Sequence, residues 1–191
     1  YLQLDQLTLA MHHVAGRLFN YNFQPLPEGT VPVFHPDVKV WEVTHRQSGE
    51  HIGLWYLDPF ARPGKRSGAW ATTYRSFSTF DGKKNVLASN NSNFVKPPEG
   101  EALLISWDDA RTFFHEFGHA LHFFASKVAY PTLNSGVRDY TEFQSQLLER
   151  HEAEMAKLRH VHMTKLEEIN RESAEDLRRI LGVHMEMHRG E

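Results

Sequence analysis

The segment TFFHEFGHALHFF, residues 112–124, places three histidines and a glutamate in a strongly apolar stretch. His115, Glu116 and His119 form the pattern H-E-x-x-H. Residues four apart share one face of a helix, about 5–6 Å from each other, so both imidazoles could bind one tetrahedral zinc ion. Glu116 could then take a proton from a water molecule that the metal activates for attack on a carbonyl. The alternative is a helix whose histidines form hydrogen bonds inside a core.

A zinc site of this kind needs a third protein ligand, and the spacing leaves two candidates open. One extended form of the motif is excluded, because it requires glycine where this chain has His122. Glu142 follows His119 by 23 residues, near the start of the next predicted helix, but it could instead complete a capping box with Asp139. His122 shares the face of the two motif histidines, and we expect it beside the site or in the core rather than on the metal.

Two further sets of residues could take part in metal chemistry, and we expect neither to do so. Glu149, two helical turns after Glu142, could orient a ligand, but a solvated surface glutamate is the simpler interpretation. His184 and His188 are also four apart, yet they lie in a polar, histidine-rich tail without a third ligand nearby.

The elements that must position these residues are indicated by hydrophobic periodicity. Apolar residues at helical spacing predict a helix over 1–20. Runs of β-branched and aromatic residues predict strands at 38–45, 51–60 and 85–95, of which the first two form a pair. Ser106, with Asp109 three residues later, indicates the start of the helix that carries the motif. A further helix is predicted to begin near residue 139.

Composition changes near residue 150, because every Phe, Trp, Tyr and Pro of the 191-residue chain lies before that point. We therefore predict one domain over 1–150 and a charged, amphipathic helical tail over 151–191. The fold class that we expect is mainly α with a small β-sheet, an α+β arrangement.

The overall composition excludes several classes of function. The net charge of −3 offers no basic surface for nucleic acid or an anionic membrane, and no apolar run is long enough to span a bilayer. The absence of cysteine excludes disulfides and thiolate catalysis. With no signal-peptide pattern, we expect a cytoplasmic location, and the start at Tyr1 rather than methionine suggests a fragment or a processed product.

Several segments resemble the thimet oligopeptidase, oligopeptidase A and peptidyl-dipeptidase family of zinc metallopeptidases. They are VPVFHPDVKVWEV, SGAWATTYR, SNNSNFVKPPEGEALLISWDDARTFFHEFGHALH and RDYTEFQSQLLE, in the order of that family's catalytic region. The resemblance covers about residues 1–150. It implies a zincin-like catalytic region in which His115, His119 and Glu142 bind one zinc ion and Glu116 is the general base. It also implies short peptides as substrates.

The resemblance stops in the tail. In that family a later glycine-rich segment supplies a tyrosine and a histidine that bind the substrate and the developing oxyanion. Here residues 151–191 contain no tyrosine, and their only glycines are Gly182 and Gly190. Loss of such donors costs about 10²–10³ in kcat each, so two alternatives stay open: a zinc-binding fragment without turnover, and an interaction module built on the tail helix. Oligomeric state is not indicated by the sequence.

Overall fold

The computed structural model describes residues 2–80, 82, 84–130, 133 and 140–150. The helices are α1 (Leu4–Phe19), α2 (Trp107–Ala125) and α3 (143–150). The strands are β1 (Leu2–Gln3), β2 (Tyr21–Pro25), β3 (Lys39–His45), β4 (His51–Phe60), β5 (Trp70–Arg75), β6 (Val86–Phe94) and β7 (Leu104–Ile105). The predicted tail over 151–191 lies outside the described residues, so the domain boundary at residue 150 stays a prediction.

Helix α1 forms as its periodicity predicts. Leu4, Leu7, Met11 and Ala15 recur at spacings of three and four and are all buried. The helix ends at Asn20, which adopts the left-handed conformation that asparagine tolerates better than most residues.

Five strands form one mixed sheet in the order β2-β3-β4-β6-β5. The predicted pairing of β3 with β4 is confirmed as antiparallel, and the predicted third strand, β6, lies parallel to β4. Strands β2 and β5 form the two edges and were not predicted. Both are short and only partly buried, so their strand conformation depends on pairing with β3 and β6 more than on a hydrophobic pattern of their own. A separate pair, β1 with β7, is two residues long.

The core lies between the sheet and the helices α1 and α2. Trp55 on β4 packs edge-on against Phe117 on α2, with 5.2 Å between ring centroids. Helix α2 contributes the largest aromatic share of this core, because Phe113, Phe114, Phe117 and Phe124 are all 1% exposed. This anchoring fixes the helix that carries the H-E-x-x-H motif.

The α+β class is confirmed, whereas the expected predominance of helix is not seen in the described part of the chain, where the mixed sheet is as prominent as the helices. None of the helices in the described ranges combines the length and the hydrophobicity that a membrane span requires.

Candidate metal centre

Helix α2 presents the motif from a well-defined start. The hydroxyl oxygen of Ser106, its N-cap, accepts a hydrogen bond from the backbone N–H of Asp109 at 3.1 Å, as the sequence predicts. The Asp109 carboxylate in turn accepts from the Ser106 hydroxyl at 2.7 Å. Because the register of α2 is set by this cap and by its buried phenylalanines, the motif residues have a fixed orientation relative to the core.

The two motif histidines point into the same space. Their rings lie 5.0 Å apart between centroids and are nearly perpendicular, and both side chains are mostly buried, at 23% exposed for His115 and 16% for His119. The i, i+4 spacing on a helix therefore produces the juxtaposition expected from the sequence.

Glu142 joins the two histidines from just before α3. One carboxylate oxygen, Oε2, lies 3.0 Å from His115 Nε2 and 3.3 Å from His119 Nε2. The three ligand atoms all lie within 4.8 Å of one another, and among the described residues this is the group that could hold a metal ion. Asp139, with which Glu142 could instead form a capping box, lies outside the described residues.

Two of the three separations between these ligand atoms suit a tetrahedral zinc ion. Zinc bonds of about 2.0–2.1 Å place neighbouring ligand atoms roughly 3.3–3.4 Å apart, close to the separations of 3.0 and 3.3 Å between the Glu142 oxygen and the two imidazole nitrogens. Two imidazoles and one carboxylate are also a donor set that zinc prefers, and they leave a fourth position open.

The second ring nitrogen of His115 faces another carboxylate. His115 Nδ1 lies 3.3 Å from Glu149 Oε2, and the other oxygen of Glu149 accepts a hydrogen bond from the Arg111 guanidinium. Burial alone would raise the pKa of Glu149, but its hydrogen bonds to Arg111 and His115 outweigh this effect and lower the pKa. The expectation that Glu149 is a solvated surface residue was therefore wrong, because α3 turns it toward α2.

Glu116 and His122 occupy different environments. Glu116 is partly buried and makes no hydrogen bond or ion pair within the described part of the chain, so its carboxylate is available to a water or a substrate. His122 does not belong to the metal-capable group. Burial, and secondarily the charge of His119, lowers the pKa of His122, which favours the neutral imidazole. His184 and His188 lie outside the described residues.

Sequence analysis missed two residues that hold carboxylates beside the motif histidines: Arg111 binds Glu149, and Ser145 binds Glu142. Arg111 stands four residues before His115, and Ser145 stands three residues after Glu142, so each is one helical turn from a predicted ligand. The Ser145 hydroxyl lies 3.0 Å from the same Glu142 oxygen that faces both histidines. Helical spacing could have indicated both residues, but only as two among many polar neighbours.

Two cavities lie along α2, and one of them borders the cluster. One of about 270 Å³ is lined by Asp108, Arg111, Thr112, His115 and Glu149. Another, of about 250 Å³, lies between α2, the end of β6 and the residues that precede β5, and it shares Thr112 with the first. A larger cavity of about 670 Å³ lies beside β2 and β3, and none of its lining residues belongs to the metal-capable group. Of these three cavities, the one of about 270 Å³ contains a residue of the metal-capable group, His115.

The chain is similar in sequence to several known peptidases. The chain is 41% identical over 137 residues to a dipeptidyl carboxypeptidase from Escherichia coli, covering 71% of this chain and 20% of that protein. It is 36% identical over 124 residues to oligopeptidase A from the same organism, covering 62% of the chain and 18% of the relative. It is 36% identical over 155 residues to a thimet-like oligopeptidase from Dictyostelium discoideum, and the match covers 78% of this chain and 23% of that protein.

The chain thus spans about a fifth of the length of these relatives. The family model of Peptidase family M3 matches residues 1–187, and this match extends past residue 150. The resemblance drawn from the sequence is therefore confirmed: the chain belongs to Peptidase family M3.

Proposed function

We propose that this chain carries the zinc-binding part of a zincin-like metallopeptidase that hydrolyses peptide bonds in short peptides. One observation carries the proposal: Nε2 of His115 and Nε2 of His119 on α2 meet Oε2 of Glu142, from the turn before α3, and the three ligand atoms lie within 4.8 Å of one another. Membership of Peptidase family M3 supports the reaction class.

The proposed chemistry divides between the metal and the chain. When bound, zinc would polarise the substrate carbonyl and lower the pKa of a water molecule. Glu116, adjacent to the ligand His115, would accept the proton of the attacking water and pass it to the leaving amine. Its carboxylate suits this role because no described residue engages it in a hydrogen bond or ion pair.

The surroundings of the cluster support an extended peptide as substrate. Strand β5 is an edge strand that packs on α2, and an edge strand can pair with an added strand through its backbone groups. The cavity between α2, the end of β6 and the residues that precede β5 shares Thr112 with the cavity at His115. A peptide laid along this edge would pass the cluster.

Zinc binding without turnover is the second candidate function. It needs only the three candidate ligands His115, His119 and Glu142, whose ligand atoms lie within 4.8 Å of one another. A partner-binding role of the tail stays a prediction that concerns residues outside the described ranges.

The zinc content of the purified chain tests the metal assignment. Elemental analysis should find about one zinc per chain in the parent and almost none in His115→Ala, because loss of one of three ligands destroys the site. A folded parent that cannot be loaded with zinc would refute the metal assignment.

Glu116→Gln separates the two candidates. If the chain hydrolyses a short fluorogenic peptide, this substitution should abolish turnover and leave zinc content unchanged, because glutamine cannot accept the proton. A zinc-loaded parent without any peptidase activity would leave zinc binding as its function. Activity that survives Glu116→Gln would contradict the role of Glu116 as base.

A further inference from the structure

The contact between α2 and α3 is unusually close at one point. A Cβ atom added to Gly118 would lie 2.5 Å from the Cα of Ser145 and 3.1 Å from the carbonyl oxygen of Gln144. The first distance is well below normal van der Waals contact, and the obstructing atoms belong to the backbone, which cannot move aside as a side chain can. Only glycine at position 118 allows the backbone of α3 to approach α2 this closely.

The residue opposite Gly118 also holds the proposed third ligand. Ser145 is completely buried, and its hydroxyl lies 3.0 Å from both the backbone carbonyl oxygen and the side-chain Oε2 of Glu142. That Oε2 is the atom that faces His115 and His119. The Ser145 hydroxyl can donate its proton to either oxygen, and in both cases it restrains Glu142 near the start of α3.

These two features act on the same carboxylate. Gly118 belongs to the segment of α2 that carries both proposed histidine ligands, His115 and His119. Its Cα faces the backbone of Ser145. A methyl group at position 118 would force α3 outward by about 1 Å to restore ordinary contact. The Glu142 oxygen lies only 3.0 and 3.3 Å from the imidazole nitrogens, so a displacement of that size is a large fraction of the ligand spacing.

We propose that Gly118 and Ser145 are positioning residues that set the distance of Glu142 from the two histidines and thereby the affinity of the site for zinc. This inference rests on the proposed function, since it assumes that Glu142 binds the metal. It goes further by assigning roles to two residues that touch neither the metal nor the substrate. Helix propensity alone predicts that Gly118→Ala stabilises α2, because alanine favours a helix relative to glycine. The positioning role instead predicts that the same substitution weakens zinc binding.

The experiment is a competitive zinc titration of the metal-free chain against a chromophoric chelator, with folding checked by circular dichroism. Gly118→Ala should lower zinc affinity at least 10-fold, and Ser145→Ala should lower it about 10-fold, within the 10–100-fold range for residues that orient metal ligands. The matched control is Gly16→Ala in α1, where the added Cβ would meet mainly the flexible guanidinium of Arg46; it should leave affinity unchanged.

The decisive comparison repeats both substitutions in a Glu142→Ala background. If Gly118 and Ser145 act by positioning Glu142, neither should cost further affinity once that carboxylate is absent. The proposal is overturned if Ser145→Ala or folded Gly118→Ala binds zinc within twofold of the parent, or if the losses persist without Glu142. If Gly118→Ala fails to fold, Ser145→Ala decides the question, because it only removes a hydroxyl group.

Failure of the proposed function would give a different result. A parent that binds no zinc, or a Glu142→Ala variant that binds as tightly as the parent, would refute the ligand assignment itself. Normal parent binding that depends on Glu142 but not on Ser145 would refute only the positioning roles.

Discussion

At the scale of single residues, Glu149 is placed to orient one of the proposed zinc ligands, His115. It lies 3.3 Å from His115 Nδ1 and is held on its other side by Arg111. A carboxylate at Nδ1 favours the tautomer that carries its proton there, which leaves Nε2 with a lone pair for the metal.

We therefore expect Glu149→Ala to lower zinc affinity about 10–100-fold, the usual cost of removing such a partner. Glu149→Gln should retain most of the affinity, because its amide oxygen can still accept from Nδ1–H. The measurement is the zinc dissociation constant, with Glu101→Gln as a control at an exposed glutamate. Equal affinities of the parent and Glu149→Ala would contradict this role.

His12 is a second residue whose surroundings have a measurable consequence. Its ring stacks on Phe23 at 4.3 Å between centroids, and Trp41 and Trp55 approach it edge-on. Its Nε2 is buried without a hydrogen-bond partner in the described residues. Burial lowers the pKa of His12 from 6.5 to about 4.

The folded state therefore binds a proton at His12 less readily than the unfolded state does. Stability should be complete above pH 6.5 and should fall as the pH drops from 6.5 to about 4, by on the order of 2–3 kcal/mol. We expect His12→Phe to remove this part of the acid sensitivity, measured by urea unfolding at pH 7 and pH 5. The exposed neighbour His13 provides the control, and a His13→Phe variant with the same effect would argue against our assignment.

At the scale of elements, a buried ion cluster fixes the connection between β4 and β5. Asp58 on β4 is 2% exposed, and Arg62 donates to both of its oxygens, at 2.7 and 2.9 Å. Lys65 also donates to the backbone carbonyls of Asp58, Phe60 and Ser92. The connection thereby holds β5 at the sheet edge that packs on α2.

We expect Asp58→Asn to lower the free energy of unfolding by about 3–5 kcal/mol at pH 7, because it leaves buried cations without their counter-ion. Burial alone would raise the pKa of Asp58, but hydrogen bonds from Arg62 and Lys65 outweigh this effect and lower it. The stabilisation should thus be present above about pH 3.8 and decline at lower pH as the carboxylate protonates.

Urea unfolding of the parent and Asp58→Asn at pH 7 and pH 3 provides the measurement. Asp5→Asn, which removes a solvent-exposed ion pair with Lys39, is the matched control and should change stability little. A small effect of Asp58→Asn at pH 7 would show that the cluster does not stabilise the sheet.

At the scale of the whole molecule, metal binding and folding should be coupled. The proposed ligands come from two segments that are distant in sequence, His115 and His119 on α2 and Glu142 before α3, so the unfolded chain would lack an assembled site. Zinc at 100 times its dissociation constant should stabilise the folded chain by about 2.7 kcal/mol.

This stabilisation should appear as an increase in melting temperature, and it should disappear in Glu142→Ala. Mg²⁺ at the same concentration should have little effect, because it prefers an octahedral shell of oxygen ligands. A His184→Ala/His188→Ala double variant should retain the zinc effect. Loss of the effect in that variant would place the stabilising metal in the tail instead.

The sequence by itself determined the local features of this protein. Helix α1, the pairing of β3 with β4, strand β6 and the capped helix α2 all follow from short-range periodicity and turn chemistry, which act within a few residues. The i, i+4 placement of His115 and His119 follows for the same reason. Motifs quoted from the sequence also identified the family correctly.

Tertiary structure decided which distant groups meet these local elements. Spacing alone left Glu142 and His122 as rival third ligands, and it favoured a surface position for Glu149. The packing of α3 on α2 brings Glu142 and Glu149 to His115, and the absence of a side chain at Gly118 permits that approach. The edge positions of β2 and β5 were likewise set by their neighbours. Such outcomes depend on long-range packing, which periodicity along the chain does not encode.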